Sequence, residues 1–177
     1  MRLHLIRHAH AVSAEDDSLR PLSLRGRRQA KALAAFFRRN DWLQPKAIWH
    51  SPLARSHETA TLLAVGLKFT GPLHEESGLE PEDDPRATFK RLRKVHDGLV
   101  IVGHEPHLGL LATLLVCEDQ RTTASSRTGG TPVPTFAAGV SLFVLKKAAC
   151  LTLERDEDER VWSVRALIGP SLIESKR

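Results

Sequence analysis

Residues 99–104 read Leu-Val-Ile-Val-Gly-His, and this stretch decides the fold class. The apolar run is continuous rather than alternating, and Gly98 and Gly103 bound it. A strand of this kind is typical of a parallel sheet that helices cover on both faces. His104 follows the strand directly. Because ligand sites in open α/β sheets form beyond the carboxyl ends of the strands, His104 is a candidate site residue.

Two further strand patterns end in the same way. Residues 2–6 alternate and then meet Arg7-His8, while residues 47–49 are apolar and precede the segment from Ser51 to Arg55. An apolar stripe predicts a helix from Ser23 to about Arg39, with the Ser23 hydroxyl as its cap. Ser51-Pro52 predicts the start of a second helix, with a capping hydroxyl followed by proline at the first helical position.

The remaining elements are predicted from periodicity and turn residues. They are a strand near 72–74, a helix from Pro85 to about His96, a helix over 107–116, a surface loop over 118–135, strands over 140–145, 150–153 and 161–166, and a turn over 156–159. This order predicts an α/β three-layer sandwich, with a mostly parallel central sheet, helices on both faces and antiparallel strands at one edge. The length of 177 residues fits a single domain over 1–177.

Composition excludes several classes of protein. Apolar residues make up 41% and charged residues 27%, as in an ordinary globular chain, and no apolar run is long enough to span a membrane. The net charge of +5 raises the possibility of a nucleic-acid partner. Tyrosine is absent, and no aromatic residues interleave with the basic ones. We therefore expect no nucleic-acid and no membrane partner.

Cysteine usage and the N-terminus bear on the compartment. Cys117 and Cys150 lie in apolar surroundings without the spacing of a zinc site, so both are expected to be reduced. The first residues carry Arg2, His4 and Arg7 instead of the uninterrupted apolar stretch of a signal peptide. These features predict a cytoplasmic protein.

Four residues at the predicted strand ends favour a phosphate site. Arg7, His8, Arg55 and His104 would create a strongly positive pocket, and guanidinium groups bind phosphoryl oxygens through paired donors. Neighbouring positive charge also lowers the pKa of an imidazole and keeps it neutral, as a nucleophile requires. His57 instead lies on the apolar stripe of its helix, which predicts a packed or hydrogen-bonded side chain.

Three motifs carry a family resemblance. Residues 5–9, Leu-Ile-Arg-His-Ala, resemble the Arg-His-Gly signature of the histidine phosphatase superfamily, also called phosphoglycerate mutase-like, with Ala9 in place of the usual glycine. Residues 51–60 look like its second motif, and residues 102–106, Val-Gly-His-Glu-Pro, look like its third. The resemblance implies that His8 accepts the phosphoryl group and that Arg7, Arg55 and His104 surround it. It implies no metal and no other cofactor.

Arg55 and His104 are 49 positions apart, which leaves no room for the cap insertion of the larger family members. The chain therefore resembles the short SixA-type phosphohistidine phosphatases, whose open site admits a protein surface. The resemblance also brings in Arg20 as a candidate substrate-binding residue, with a solvated loop position as the alternative. A general acid would come from residues 80–84, with Glu80 as the candidate, and no position there matches the family pattern clearly.

The function implied is removal of phosphoryl groups from phosphohistidine on a signalling or phosphotransfer protein. Leaving imidazole can carry its own proton, so this reaction can proceed without a general acid. Three alternatives remain open: a phosphatase for small phosphate monoesters, a mutase, which would need a closed site, and a non-catalytic phosphate-binding module. The intact set of Arg7, His8, Arg55 and His104 argues against the last of these.

Overall fold

The computed structural model describes residues 1–92, 97–124, 140–156 and 161–174. These ranges contain one six-stranded sheet, made of β1 (Arg2–Arg7), β2 (Ala47–His50), β3 (Leu73–Glu75), β4 (Leu99–Gly103), β5 (Cys150–Arg155) and β6 (Trp162–Ile168). Their helices are α1 (Leu24–Arg39), α2 (Ala54–Leu67), α3 (Pro85–Leu92), α4 (His107–Ala124) and α5 (Pro170–Glu174), with a 3-10 turn at Asp17–Leu19.

The sheet has the strand order β3-β2-β4-β1-β5-β6. The first four strands are parallel to their neighbours, whereas β5 and β6 are antiparallel additions beside β1. Every residue of β4 is buried. This confirms the predicted sheet and explains why residues 99–103 are uniformly apolar, since β4 has strands on both sides and helices on both faces.

Alternate residues of the central strands enter two separate cores. Leu5 and Ile101 pack in a cluster with the apolar faces of α3 and α4. Ile6 and Val102 pack in a second cluster with α1 and α2, where Phe37 is fully buried. Because successive side chains of a strand point to opposite faces, these two clusters are the two interfaces of a three-layer sandwich.

Helix α1 begins where the sequence predicts. The Ser23 side chain caps the helix by accepting a hydrogen bond of 3.1 Å from the N–H of Gly26. A Cβ atom at Gly26 would lie 1.9 Å from the carbonyl oxygen of His10. Only glycine allows this close approach, so the first turn of α1 packs directly on the backbone that follows β1.

The predicted start of the second helix is wrong by a few residues. Helix α2 begins at Ala54, and its N-cap is Leu53, which makes no side-chain capping bond. Pro52 therefore precedes the helix instead of occupying its first position. The Ser51 hydroxyl was expected to cap the helix, but its closest partner is His104, a residue 53 positions away.

Two predictions in the second half of the chain are also wrong. Helix α4 continues to Ala124, so the loop predicted over 118–135 begins inside a helix; residues 118–124 include no glycine or proline that would end it. Residues 125–135 lie outside the described ranges. Residues 140–145 form no strand, because the N–H groups of Leu142 and Leu145 donate to the side chains of Thr113 and Glu105 rather than to a neighbouring strand.

Other boundaries differ less. Helix α3 is described to Leu92, and the predicted extension to His96 lies outside the described residues, as does most of the turn predicted over 156–159. The short helix α5 was not predicted. Within the described ranges, every helix is too short or too polar to cross a lipid bilayer. Neither Cys117 nor Cys150 forms a disulfide bond among the described residues.

Candidate active site

The carboxyl ends of three adjacent strands bring the predicted motifs together. His8 extends the ladder between β1 and β4 by donating its backbone N–H to the carbonyl of Gly103, over 2.9 Å. Ser51 does the same between β2 and β4, with a bond of 3.2 Å to Val102. Positions 8, 51 and 104 are therefore neighbours at one edge of the sheet, as the predicted parallel arrangement requires.

His8 is held in one neutral tautomer. Its Nδ1 lies 2.7 Å from the carbonyl oxygen of Ala9, which can only accept, so Nδ1 carries the hydrogen and Nε2 carries the lone pair. Burial lowers the pKa of His8 to about 4, and the charges of Arg55, Arg7 and Lys147 contribute in the same direction. At neutral pH, Nε2 is consequently available as a nucleophile.

His104 lies against His8, with the two ring centroids 4.9 Å apart. Its Nε2 is 2.6 Å from the Ser51 hydroxyl oxygen, which also accepts a bond of 3.3 Å from the N–H of Leu53. We assign the Ser51 proton to the bond with Nε2, which leaves the hydrogen of the neutral ring on Nδ1. Burial, followed by the charges of His8 and Arg55, lowers the pKa of His104 to about 2. Nδ1 is buried and has no hydrogen-bond partner among the described residues.

Arg7 is anchored at one end of its guanidinium group. Its Nη1 donates a bond of 2.8 Å to the carbonyl of Leu145. The N–H of Leu145 in turn donates to Glu105 over 3.1 Å, and burial raises the pKa of this carboxyl group. The Nε atom of Arg7 is buried and, within the described ranges, lacks a partner. Glu105 was not predicted as a site residue, although it follows His104 directly in the third motif.

Arg55 lies in the first turn of α2, and only 5% of its side chain is exposed. It donates to the carbonyl and to the carboxylate of Asp17, over 2.7 and 2.9 Å. The carbonyl of Arg55 accepts from the Thr59 hydroxyl, which itself accepts from the N–H of Ala9. This chain of bonds fixes the start of α2 against the end of β1. Neither Asp17 nor Thr59 stood out in the sequence, because single acidic and hydroxyl residues carry no motif.

Arg20 lies at the rim of the site. It donates to the Asp17 carboxylate over 2.7 Å and to the carbonyl of Val12 over 2.9 Å. The Asp17 carboxylate therefore joins Arg20 to Arg55, and these hydrogen bonds, with that to Arg20 the stronger, lower the pKa of Asp17. The structure thus brings Arg20 next to the site through Asp17.

Glu80 is not brought into this cluster by any contact. Its backbone N–H donates to the Asp83 carboxylate over 2.7 Å. In the described part of the chain, its own carboxylate forms no hydrogen bond or ion pair with His8 or His104. The proposed role of Glu80 as a general acid therefore stays a prediction.

His57 was predicted to be packed or hydrogen-bonded, and the structure shows that it is not packed. Its side chain is exposed, and its ring lies 4.9 Å from that of His50. The buried face of α2 includes Ser56 and Thr59 instead. His107 is fully buried near the carbonyl of Asp83 and the hydroxyl of Thr88.

This arrangement suits phosphoryl transfer. A neutral imidazole nitrogen lies among two guanidinium groups and a second neutral imidazole, and preorganised donors of this kind stabilise charge on equatorial phosphoryl oxygens. Among the residues that the structure describes, no three His, Cys, Asp or Glu side chains are placed to hold a metal ion. Whether the reaction needs a metal stays a prediction.

The family comparison agrees with this chemistry. Residues 3–82 match the model of the histidine phosphatase superfamily, branch 1. The matched range includes Arg7, His8 and Arg55, while His104 comes after it. No protein of curated function matches the sequence.

The fold is shared with solved phosphatases over nearly the whole chain. The protein histidine phosphatase SixA, solved with tungstate, has a TM-score of 0.74 at 18% identity and covers 98% of this chain and 99% of its own. The alpha-ribazole phosphatase of Shigella flexneri has a TM-score of 0.69 at 16% identity, with 96% and 97% covered. A mycobacterial glucosyl-3-phosphoglycerate phosphatase has a TM-score of 0.59 at 15% identity, with 95% and 99% covered.

Residues 3–82, a little under half of the 177 residues, match the family model, and the fold is shared with solved phosphatases, so the chain resembles the histidine phosphatase superfamily. Its fold is that of the SixA-type members.

Proposed function

We propose that the protein is a cytoplasmic phosphohistidine phosphatase, which removes the phosphoryl group from a signalling or phosphotransfer protein through a covalent intermediate on His8. One observation carries the mechanism. Nε2 of the buried His8 carries the lone pair, and the His104 ring lies 4.9 Å from the His8 ring. Two buried nitrogens of the same residue set, Nε of Arg7 and Nδ1 of His104, have no partners in the described part of the chain. Buried donors without partners are costly, and phosphoryl oxygens would satisfy them.

The reaction has two displacements. In the first, Nε2 of His8 attacks phosphorus, the P–N bond of the substrate breaks, and its electron pair returns to the departing imidazole. In the second, water attacks phosphorus, the bond to Nε2 breaks, and inorganic phosphate and a proton are released. Arg7, Arg55 and the Nδ1–H of His104 stabilise the charge on the equatorial oxygens in both transition states.

An open site supports a protein substrate. The chain between Arg55 and His104 is used by α2, β3, α3 and β4, with residues 93–96 outside the described ranges. Large apolar side chains are exposed in the segments that hold the arginines: Leu19 is 67% exposed beside Asp17, and Val144 is 76% exposed beside Leu145. Such side chains suit contact with another protein surface.

The leaving group supports a P–N substrate. A phosphate ester expels an alkoxide that must be protonated, whereas a phosphohistidine can expel an imidazole that already carries a proton. We therefore expect Glu80→Gln to retain most of its activity on phosphohistidine.

Small phosphate monoesters are the second candidate substrates. The same fold occurs in the Shigella alpha-ribazole phosphatase and in the mycobacterial glucosyl-3-phosphoglycerate phosphatase, whose names state small substrates. The nucleophile and its cationic neighbours would serve either substrate class, so the substrates must be compared directly.

The deciding experiment is an assay without added metal, using a protein that bears phosphohistidine and an aryl phosphate. His8→Ala is compared with His57→Ala, whose ring is exposed. We expect faster turnover of phosphohistidine and acid-labile phosphate on the quenched enzyme, both lost in His8→Ala and retained in His57→Ala. Turnover of the ester alone would overturn the substrate class. Absence of turnover and label on both substrates would indicate a phosphate-binding module.

A further inference from the structure

A tight turn over residues 146–149 carries a lysine to the edge of the sheet where His8 lies. The carbonyl of Lys146 accepts a bond of 2.8 Å from the N–H of Ala149, which closes the turn. Ala148 has a φ of 59°, in the left-handed region, and is buried. Lys147 stands between these residues with a half-buried side chain.

The turn is bonded to the backbone of the proposed nucleophile. The N–H of Ala148 lies 3.1 Å from the carbonyl of Arg7 and 3.2 Å from the carbonyl of His8. Ala149 accepts a further bond of 3.1 Å from the N–H of Arg7. These three contacts use only backbone atoms of the turn. The position of the turn is therefore independent of the Lys147 side chain.

The charges near Lys147 are predominantly positive. Burial lowers the pKa of Lys147, and the positive charges of Arg7, Arg20, Arg55 and Arg25 lower it further. The charge of Lys147 in turn contributes to the lowered pKa of His8. Within the described ranges, no carboxylate forms an ion pair with Lys147. A half-buried cation among other cations, without a carboxylate of its own, is stabilised by an anion bound between them.

We propose that the Lys147 ammonium group binds the phosphoryl group of the substrate, as a third cationic ligand beside Arg7 and Arg55. This inference rests on the proposed function, because it assumes that the phosphoryl group binds beside His8. Lysine serves here as a point charge, complementing the planar, paired donors of the two arginines. No motif of the sequence indicated Lys147, since it precedes β5, far from the three motifs.

Binding of tungstate, a tetrahedral oxyanion, measures this role without requiring turnover. Titration calorimetry would compare the full-length wild type with Lys147→Gln, Lys147→Arg and Lys146→Gln. Lys146 is the matched control, because it is the preceding residue of the same turn and is exposed. We expect Lys147→Gln to weaken binding about tenfold, as for loss of one charged hydrogen bond. The other two variants should remain within about threefold of the wild type, which corresponds to less than a typical hydrogen bond.

Each outcome decides the inference. Equal weakening in Lys147→Gln and Lys146→Gln, or no weakening in either, would overturn the role of Lys147. If Lys147→Gln alone is weakened but phosphohistidine is not hydrolysed, the proposed substrate is wrong while the oxyanion ligand stands. If the wild type binds no tungstate, both proposals fail. Should Lys147→Gln unfold, Lys147→Met with its thermal unfolding profile replaces it, and the Lys147→Arg result still separates charge from shape.

Discussion

The Ser51 hydroxyl oxygen lies 2.6 Å from Nε2 of His104, so a residue at the end of β2 orients an imidazole at the end of β4. The hydroxyl also accepts from the N–H of Leu53, which directs its proton to His104. The tautomer of His104 is therefore determined by a neighbouring strand, and its Nδ1–H is left for a phosphoryl oxygen.

Replacing Ser51 should impair the reaction more than the fold. In Ser51→Ala, His104 loses the group that holds its tautomer, and we expect kcat/KM on phosphohistidine or on an aryl phosphate to fall roughly 10- to 100-fold, as for loss of a preorganised donor. Ser56→Ala is the matched control, since its buried hydroxyl bonds the carbonyl of Val102 over 2.7 Å. Equal losses of kcat/KM in both variants would show that Ser51 acts only through packing.

The proposed nucleophile should stay neutral in weakly acidic solution. Since the pKa of His8 is lowered to about 4, its ring gains a proton only as the pH falls through that value, rather than near the ordinary 6.5. Nitrogen-15 NMR of the histidine rings, followed from pH 7.5 downward, should show Nδ1 protonated and Nε2 unprotonated until about pH 5. A midpoint for His8 near 6.5 would contradict the buried, neutral nucleophile.

The Asp17 carboxylate occupies donors of both Arg55 and Arg20, and a phosphoryl group bound by Arg55 must share them. We expect Asp17→Asn to tighten tungstate binding severalfold, because a negative charge beside the oxyanion is removed. We also expect kcat to fall, because Arg55 loses its orienting partner. Asp16→Asn controls for net charge: Asp16 bonds Ser18 rather than an arginine. If Asp16→Asn tightens binding as much, the effect comes from general charge.

Gly26→Ala tests the close approach of α1 to the end of β1. A Cβ at this position would lie 1.9 Å from the carbonyl oxygen of His10, so backbone must move. We expect a loss of about 1–3 kcal/mol in the free energy of unfolding, despite the better helix propensity of alanine. Gly169→Ala is the control, with its nearest atom at 3.9 Å. Urea denaturation midpoints measure both, and an unchanged midpoint in Gly26→Ala would contradict the packing.

Much of the fold followed from local patterns. The continuous apolar run of β4, the alternation of β1 and the stripe of α1 each report burial directly, since strand and helix periodicities decide which side chains leave water. The strand predicted over 140–145 is not formed, although Val140, Leu142 and Val144 alternate with other residues along the sequence. These three side chains are exposed, and the segment pairs with no strand of the described sheet. Alternation of apolar and polar residues predicts which side chains are buried. Strand pairing depends instead on which backbone segment lies alongside in the fold.

The amino-acid sequence by itself determined the α/β layers, the placement of Arg7, His8 and His104 at strand ends, and the placement of Arg55 in the segment that follows β2. Periodicity, turn residues and three ordered motifs are local properties of the chain. Only the tertiary structure decided the partners of these residues: Asp17 on Arg55, Ser51 on His104, Glu105 behind Leu145, and the turn that carries Lys147. Such contacts join residues separated by tens of positions along the chain. They depend on strand order and register, which no local pattern encodes.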